Sequence, residues 1–446
     1  MIRKLMQAGM NVARLNFSHG THELHARMVA TIRGIAEELQ RPVAIMGDLQ
    51  GPRIRIGVLA EALTLEEGAR LVLAPEDVAG PGEIPVTYDL ARDVQPGGAI
   101  LVDDGLIALD VDAVDAPRVR VTVRYGGLLK SNKGMNLPGI DVSAPSLTEK
   151  DREDIPFAIA QDLDYLALSF VRRPEDILGL RALIPKGMLI VAKIEKDSAL
   201  ARIEEILQVS DAVMVARGDL GVELPFEEVP LQQKRIIGLA ARFGRPVITA
   251  TQMLESMVQH PRPTRAEASD VANAILDGTD AVMLSAETAA GLHPLLAVEA
   301  MRRIASAAEQ APVERGQGID RVKPGNATDE ETIASAAVTA VRLLGASIIV
   351  VLTKSGFSAR IVAARRPNVR IVVLTDNRRT YRQLALVWGV IPFLVPHCDT
   401  YGEMTTLAKK ILLEHGFSKS GDRIVLTAGV PFDVPGTTNQ LKVETV

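Results

Sequence analysis

A lysine and a glutamate stand two residues apart at the end of a short apolar run, Val191-Ala192-Lys193-Ile194-Glu195. Such a run is typical of a buried β-strand, and residues two apart on a strand face the same side. The next run of this kind leads to Asp219. Two carboxylates from neighbouring strand ends suit Mg²⁺, which keeps water and substrate oxygens as its other ligands. Lys193 would add a second positive charge, so this group could stabilise a developing enolate and a phosphoryl group in transfer.

Each of these residues alone also fits a simpler role, an internal ion pair that only holds the core together. Their joint placement favours a site. Thr251 ends the following run, Thr249-Ala250-Thr251-Gln252, where its hydroxyl could position a substrate or pass a proton. Thr249 is better explained as an ordinary β-branched strand residue. Ser285 and Glu287 end the last run and are weaker candidates.

A second polar group ends the first strand-like run, Arg14-Leu15-Asn16-Phe17-Ser18-His19. Arg14, Asn16 and Ser18 share one face of that strand. An arginine for a phosphate and two oxygen ligands for a cation form a sensible cluster. Asp48, at the end of the next run, can join it. His19 is explained equally well as a surface histidine at the start of a helix.

A third group lies far along the chain, where Thr353-Lys354-Ser355-Gly356-Phe357-Ser358 follows an apolar run and opens a helix. Hydroxyls and backbone N–H groups at a helix start can bind an anion, although Ser and Thr also simply cap helices. The charges of Lys354 and Arg360 are near in sequence, but both could equally be solvated. Because this segment belongs to a separate unit, it suggests regulation rather than catalysis.

Seven short apolar runs, each followed by a helical pattern, must position these side chains. They span residues 12–17, 43–48, 165–170, 189–195, 212–219, 246–252 and 281–287. This pattern predicts βα units of a parallel sheet, with the polar residues at the C-terminal strand ends that carry the chemistry in a β/α barrel. A closed barrel needs eight strands, and Ile2–Gly9 is predicted to be the helix that follows a first strand. The predicted fold is α/β, a (β/α)₈-type barrel whose first strand is missing.

The barrel pattern is interrupted once and is followed by a second unit. Alternating runs such as 118–124, with turns at Pro81-Gly82 and Pro96-Gly97-Gly98, predict a small all-β insertion that could act as a lid. A helix over 332–344 and strands over 347–352, 369–374 and 423–427 predict an open-sheet α/β domain. The predicted ranges are 1–51 and 140–311 for the barrel, 52–139 for the insertion, 312–327 for a linker and 328–446 for the C-terminal domain.

Composition excludes several classes of protein. The 446 residues carry a net charge of −5 and 3% aromatic residues, which argues against nucleic-acid binding. The single cysteine, Cys398, allows neither an internal disulfide nor a zinc cluster, so a reducing cytoplasm is expected. We find neither an apolar run long enough to span a membrane nor a signal-peptide pattern behind Met1.

These motifs together resemble the pyruvate kinase family. The resemblance is carried by residues 9–20, 191–195 and 215–221, by Ala250-Thr251-Gln252-Met253-Leu254-Glu255-Ser256-Met257, and by Pro261-Arg262-Pro263-Thr264-Arg265-Ala266-Glu267. It covers nearly the whole chain and implies transfer of a phosphoryl group from phosphoenolpyruvate to ADP. It also implies a mobile lid, an effector-binding C-terminal domain and a homotetramer.

The resemblance further implies a role for individual residues. Arg14 would contact the transferring phosphate, and Lys193 would stabilise the transition state. Glu195 and Asp219 would bind Mg²⁺ or Mn²⁺. The other implied groups are Gly218, Asp219 and Thr251 for phosphoenolpyruvate or pyruvate; Asn16, Ser18, His19, Arg55 and Lys133 for the nucleotide; and Thr353, Lys354, Ser355, Gly356 and Ser358 for an effector phosphate.

The segment after Asp48 departs from the family pattern. Many members bind K⁺ through residues that match Asn16, Ser18, Asp48 and the carbonyl of Leu49, followed by Thr-Lys-Gly-Pro-Glu. Here the segment reads Leu49-Gln50-Gly51-Pro52-Arg53. A fixed positive charge on Arg53 would repel a monovalent cation and could replace it. We therefore expect activity without K⁺.

The N-terminus is the second departure, because members of the family carry an additional segment with the first barrel strand. A start upstream of Met1 or a natural truncation would each explain this, and we favour the former since the downstream catalytic positions are intact. Two other functions stay open from the residues alone. One is another metal-dependent barrel enzyme that handles enolates, such as an aldolase or lyase, which would not need ADP. The other is a non-catalytic subunit that binds phosphorylated metabolites.

Overall fold

The computed structural model describes residues 1–310, 327–429 and 438–446. The strands, in chain order, are β1 (Val12–Asn16), β2 (Ala44–Asp48), β3 (Leu63–Leu65), β4 (Arg70–Pro75), β5 (Ile84–Val86), β6 (Ala99–Val102), β7 (Ile107–Asp115), β8 (Arg118–Tyr125), β9 (Gly127–Leu129), β10 (Met135–Asn136), β11 (Tyr165–Leu168), β12 (Leu189–Ile194), β13 (Ala212–Ala216), β14 (Val247–Ala250), β15 (Ala281–Val282), β16 (Ile348–Leu352), β17 (Arg370–Thr375), β18 (Val390–Leu394), β19 (Arg423–Gly429) and β20 (Thr438–Thr445).

The helices, in the same order, are α1 (Ile2–Ala8), α2 (His22–Glu38), α3 (Glu149–Ala160), α4 (Pro174–Arg181), α5 (Asp197–Ala201), α6 (Ile203–Val209), α7 (Arg217–Glu223), α8 (Val229–Arg242), α9 (Arg265–Asp277), α10 (Ala286–Ala289), α11 (Pro294–Gln310), α12 (Asp329–Leu344), α13 (Phe357–Ala364), α14 (Arg378–Gln383) and α15 (Tyr401–Glu414). The predicted linker, 312–327, lies outside the described residues except for its last position.

The barrel is a curled parallel sheet of seven strands in the order β1-β2-β11-β12-β13-β14-β15. Residues of β2, β11, β13 and β14 are buried throughout, as expected for parallel strands that are covered on both faces. Strands β1 and β15 form the two edges of this sheet. Helix α1 packs against both α2 and α11, the helices beside the two edges. The predicted α/β barrel with seven visible strands is confirmed.

Several predicted strands, three of which bear on the site residues, end earlier than the sequence suggested. The run 246–252 stops at Ala250, because Thr251 and Gln252 have φ of 68° and 52°, which a strand does not allow. The run 212–219 stops at Ala216, where α7 begins, so Asp219 lies in the first turn of a helix. The run 281–287 pairs with β14 over only two residues, Ala281 and Val282, before it turns away.

The insertion between β2 and α3 consists of strands and one short 3₁₀ helix, Leu90–Arg92. Its main sheet has the order β10-β6-β7-β8-β4-β5, and β3 pairs with β9. Aliphatic side chains of this sheet form a core of their own, which includes Ile100, Val119 and Val121. The insertion is therefore a small all-β unit placed at the C-terminal end of β2, as predicted.

The C-terminal unit is a five-stranded sheet in the order β18-β17-β16-β19-β20, with β20 antiparallel to its neighbour. Its helices cover both faces, since one apolar cluster contains α12 and α13 and a second contains α15. Neither edge strand is predicted from the sequence. Strand β18 contains Pro392, which an edge position tolerates, and β20 is short of apolar residues.

Three aspartates at the N-terminal end of the barrel connect neighbouring strands. Asp164, Asp211 and Asp280 each stand one residue before a strand, and each accepts the backbone N–H of the neighbouring strand, from Ile45, Ile190 and Val247 at 2.8–2.9 Å. We call these three residues the base aspartates. They hold the register of adjacent strands at the end opposite the candidate site.

Arginines of the C-terminal domain meet two of the base aspartates. Arg382 Nε lies 2.7 Å from Asp164 Oδ1, and Arg366 Nη1 lies 3.1 Å from Asp280 Oδ1. Tyr165 donates its hydroxyl to the carbonyl of Gln383 at 2.7 Å. The domain is thus attached to the barrel face away from the strand ends where chemistry was predicted. In the described parts of the chain, no helix is both long and apolar enough to cross a membrane.

Candidate active site

Lys193 lies at the centre of the polar side chains at the C-terminal strand ends. Its ammonium is 2.7 Å from Ser169 Oγ, 2.8 Å from Glu195 Oε1 and 3.5 Å from Asp48 Oδ1. The contact with Glu195 is a close charge contact rather than an aligned hydrogen bond, since Oε1 has no partner of good geometry. The side chains predicted from β2 and β12 are therefore brought together.

The charges around Lys193 balance one another. Burial favours the neutral amine, but Asp48 and Glu195 outweigh it, so the pKa of Lys193 is raised above its ordinary value and the side chain stays positive. Burial also raises the pKa of the Glu195 carboxyl, against the attraction of Lys193, and Asp219 acts in the same direction as burial. Asp219 is thus near enough to Glu195 for their charges to interact.

Arg14 links the first strand to this cluster. Its Nε donates to Asp48 Oδ2 at 2.5 Å, and its side chain is 24% exposed, so its other nitrogens can meet a substrate. Along β1 the exposed and buried residues alternate, with Arg14 and Asn16 on the open face and Leu15 buried. Arg14 and Asn16 therefore lie on the same face of β1, as the sequence predicted.

Arg53 lies beside Asp219, with Nη2 3.9 Å from Oδ1. The sequence analysis placed Arg53 at the monovalent cluster of Asn16, Ser18 and Asp48, whereas the ion pair that the structure shows is with a predicted ligand of the divalent metal. Arg53 also lines a cavity between the insertion and the barrel, together with Lys196, Asn136 and Asp219. Asn136 donates to Glu223 Oε1 at 3.4 Å, and Lys196 pairs with the same carboxylate.

Thr251 and Gly218 are joined by a hydrogen bond, from the N–H of Gly218 to Thr251 Oγ1 at 2.8 Å. A Cβ at Gly218 would lie only 3.3 Å from that oxygen, so glycine permits the close approach. The positive φ of Thr251 is rare for a β-branched residue and indicates a functional constraint. Arg217, which the sequence analysis did not select, holds this turn by donating to the Thr251 carbonyl at 2.8 Å and to Asp270 at 2.7 Å.

Ser169 is a second residue that the sequence analysis missed. It follows β11, accepts from Lys193 and donates to the carbonyl of Leu49 at 2.8 Å. That carbonyl is one of the predicted ligands for a monovalent cation, and here it is hydrogen-bonded to a hydroxyl. Its position could have identified it, because the other candidates were chosen as polar residues at strand ends.

The predicted nucleotide residues fall into two groups. Asn16 Oδ1 accepts the N–H of Ser18 at 3.1 Å, and His19 is exposed in the same turn. Arg55 and Lys133 belong to the insertion, where Arg55 donates to the carbonyl of Asn132 at 3.1 Å and Lys133 lies 2.7 Å from Asp103. The barrel thus carries one group and the insertion carries the other.

The weaker candidates have structural partners. Thr249 is fully buried, and its Oγ1 donates to Thr279 Oγ1 at 3.0 Å. Glu287 is buried and accepts the N–H groups of Leu254 and Ser285 at 3.1 and 2.7 Å. These contacts give Thr249, Glu287 and the N–H of Ser285 hydrogen-bond partners within the protein, so none of them requires a ligand.

The loop before α13 forms a tight turn in the C-terminal domain. Thr353 Oγ1 accepts the N–H of Gly356 at 3.1 Å, and Gly356 has φ of 74°, which favours glycine. Ser355 Oγ accepts the N–H of Phe357 at 3.4 Å. Ser358 is buried against Thr438, and Lys354 Nζ lies 3.5 Å from Asp376. The hydroxyl of Ser358 and the ammonium of Lys354 are therefore less available to an anion.

A divalent metal fits the residues present at the strand ends. Glu195 Oε1 is a buried carboxylate oxygen without an aligned hydrogen bond, and Asp219 is half-buried beside it. Among the residues that the structure describes, no group of three or more His, Cys, Asp or Glu forms a cage for a metal. A two-carboxylate site that leaves positions for water and substrate is the arrangement that Mg²⁺ favours.

The parallel barrel, the charged strand ends and the all-β insertion define a class, the β/α-barrel enzymes whose active sites lie at the C-terminal face. Comparison with known proteins narrows this class. Residues 1–298 match the family described as "Pyruvate kinase, barrel domain", and residues 331–444 match "Pyruvate kinase, alpha/beta domain".

Curated relatives agree with these matches. The chain is 49% identical to "Pyruvate kinase" of Geobacillus stearothermophilus over 99% of its own length and 77% of the relative. It is 46% identical to "Pyruvate kinase" of Staphylococcus haemolyticus over 100% of its length and 78% of the relative. The chain belongs to the pyruvate kinase family, and it is a phosphotransferase that moves a phosphoryl group from phosphoenolpyruvate to ADP in glycolysis. The family generally needs a divalent metal.

Proposed function

We propose that Lys193, Arg14 and Thr251 are the catalytic residues of this phosphoryl transfer. The observation that carries the assignment is the position of the Lys193 ammonium, between Ser169, Glu195 and Asp48. From there it can stabilise negative charge on the phosphoryl group and on the enolate left behind. Arg14, fixed by Asp48, would contact the transferring phosphate with its free nitrogens.

The test of this function is pyruvate formation by the purified chain from phosphoenolpyruvate, with and without ADP. We expect product only when ADP is present. Turnover of phosphoenolpyruvate without ADP would favour a lyase or aldolase reaction instead. Metal-dependent turnover of either kind would exclude a non-catalytic binding subunit.

Gly218, Asp219 and Thr251 would hold the three-carbon substrate. Because Thr251 Oγ1 accepts the N–H of Gly218, its own hydrogen remains available to donate. The hydroxyl is therefore suited to pass a proton towards the enolate, which ketonises to pyruvate. Asn16, Ser18 and His19 on the barrel, with Arg55 and Lys133 on the lid, would contact the nucleotide when the lid closes.

Glu195 and Asp219 would hold the divalent metal, Mg²⁺ or Mn²⁺. When bound, the ion would supply positive charge to phosphoryl and enolate oxygens. The contacts of the two side chains support this role. Glu195 Oε2 accepts the N–H of Phe170 at 2.6 Å, which fixes the carboxylate and leaves Oε1 towards the site.

Glu195→Gln should weaken metal binding at least about 100-fold, because one of two charged ligands is lost. Titration of Mn²⁺ followed by its electron paramagnetic resonance signal measures this directly. Glu227→Gln is the matched control, since Glu227 is exposed on the same side of the barrel and its loss changes the charge equally. Equal Mn²⁺ affinity of Glu195→Gln and the parent chain would remove Glu195 from the metal site.

Activity should not depend on K⁺, because Arg53 places a fixed charge beside the site. We expect the same rate in potassium and tetramethylammonium salts at one ionic strength. Arg53→Gln should lower the rate at least about ten-fold in the K⁺-free buffer. If K⁺ restores the rate of this variant, Arg53 takes the place of a monovalent cation. If K⁺ does not restore the rate, Arg53 acts through its ion pair with Asp219. Full activity of the parent chain only with K⁺ would refute the prediction.

Regulation and assembly are the remaining parts of the proposal. The loop of Thr353, Lys354, Ser355, Gly356 and Ser358 would hold a phosphorylated effector, which equilibrium dialysis with a sugar phosphate would detect. The chain would act in the cytoplasm as a homotetramer. Exposed apolar side chains at Phe226, Leu231 and Leu292 support burial in an interface. A monomer mass by light scattering would contradict this assembly.

A further inference from the structure

A small cavity lies between the base of the barrel and the C-terminal domain. Arg245 and Asp280 line it from the barrel, and Arg360, Ala364 and Arg366 line it from α13 and the residues that follow. It is on the opposite side of the barrel from the strand ends that carry Lys193. Three guanidinium groups and one carboxylate make its walls strongly basic.

Two of the three arginines already donate hydrogen bonds from their guanidinium groups, although only Arg366 also has a carboxylate partner. Arg366 pairs with Asp280 at 3.1 Å and donates to the carbonyl of Gly278. Arg245 donates to the carbonyls of Leu207 and Gln208 at 3.0 and 3.1 Å.

Arg360 differs from both. It is 7% exposed, and its Nε makes no hydrogen bond to any described residue. Its Nη1 has one long contact, 3.4 Å, to the carbonyl of Ser355, and its guanidinium lies 5.9 Å from the ring centre of Phe357.

Asp211 is the carboxylate whose charge acts on Arg360, but it is already paired with another arginine. Asp211, the third base aspartate, acts on Arg360 through space but is paired with Arg181 at 2.7 Å and accepts the N–H of Ile190. No carboxylate of the described residues lies within ion-pair distance of Arg360. A buried guanidinium without a counter-charge is unfavourable, and burial accordingly lowers the pKa of Arg360. The protein thus presents an unneutralised charge at the wall of a basic cavity.

We propose that this cavity binds a small oxyanion, a phosphate or a group of the same shape, between the two domains. The cavity is small and its walls are basic, which favours a compact anion over a nucleotide. The anion would accept from Arg360 and would lie between arginines of both domains. Bound there, it would strengthen the attachment of the C-terminal domain to the barrel. The site is separate from the proposed effector loop, although Arg360 touches the carbonyl of Ser355 in that loop.

The test uses inorganic phosphate with the full-length chain, and its readouts are thermal unfolding and calorimetric titration rather than turnover. Binding should raise the unfolding temperature of the parent chain in a concentration-dependent way. Arg360→Met keeps most of the side-chain volume, and we expect it to reduce phosphate affinity at least about ten-fold. Without phosphate, the unfolding temperature of this variant should equal or exceed that of the parent, because a buried charge has been removed. If Arg360 had a purely structural role, the unfolding temperature of Arg360→Met would instead be lower than that of the parent chain.

A second variant adds the missing counter-charge. Ala364 is one helical turn after Arg360 and lines the same cavity, so Ala364→Glu would place a carboxylate beside the guanidinium. It should abolish the phosphate response while leaving the chain folded. Arg14→Met and Lys354→Met serve as controls for phosphate at the catalytic site and at the effector loop, and both should keep the response. An unchanged response in Arg360→Met, or its loss only in a control variant, would overturn the proposal.

Discussion

Replacement of Lys193 by methionine is expected to lower the turnover number for pyruvate formation by about 10³-fold, the scale seen when one preorganised charge-stabilising group is removed. The ammonium contacts Ser169 and Glu195 and is the positive charge nearest to Asp48 after Arg14. Methionine keeps the length of the side chain but leaves negative charge in the transition state without a partner. Steady-state kinetics at saturating phosphoenolpyruvate, ADP and Mn²⁺ would measure the change.

Lys409→Met is the matched control for this experiment. Lys409 is also ion-paired, 2.8 Å from Glu444, but it lies in the C-terminal domain on α15. It should retain full turnover. A Lys193→Met enzyme within ten-fold of the parent would show that the lysine has a structural role, the simpler interpretation of an internal ion pair.

Asp164→Asn should give the largest loss of stability, about 3 kcal/mol of unfolding free energy. Asp164 is fully buried and joins three parts of the molecule: it accepts from Ile45 in β2, from Arg33 in α2 and from Arg382 in the C-terminal domain. Asparagine keeps the size but leaves two arginines without their shared counter-charge. Urea unfolding followed by circular dichroism would measure the effect, with attention to a separate transition of the C-terminal domain.

Asp162→Asn provides the comparison, because Asp162 pairs with Arg379 and Arg382 but its side chain is 53% exposed. The expected cost is below about 1 kcal/mol, since solvent screens an exposed pair. Asparagine is the suitable substitute here because Asp162 has φ of 49°, which asparagine tolerates better than most residues. Equal losses in the two variants would mean that burial of the base aspartate does not decide its contribution.

The barrel was predictable because its signals are local. Each apolar run has a period and length that identify a strand, and the polar residues Asp48 and Glu195, at the ends of two of these runs, mark the active face. The open face of Arg14 and Asn16 follows from the two-residue period alone. The same reasoning could have found Ser169, which obeys the rule of a polar residue at a strand end.

Other features depend on contacts between distant elements, which spacing does not encode. The partner of Arg53 is Asp219, more than 160 positions away, and the sequence offered no reason to prefer it over Asp48. The turn at Thr251 and Gln252 requires two positive φ values, although the β-branched Thr251 suggests a continued strand. The base aspartates look like ordinary strand-flanking residues until Arg366 and Arg382 are seen to meet them.

The attachment of the C-terminal domain at the barrel base has a mechanical consequence. An effector bound there is separated from Lys193 by the length of the strands, roughly 17–20 Å for five or six residues. Parallel strands that are buried on both faces are held by their neighbours, so they cannot shorten or change register. A signal from the base would therefore arrive at the other end as a tilt of whole strand–helix units, a lever motion, rather than as a local rearrangement. Under such a motion the amide protons of β11 and β13 would keep their exchange protection while those of the insertion changed.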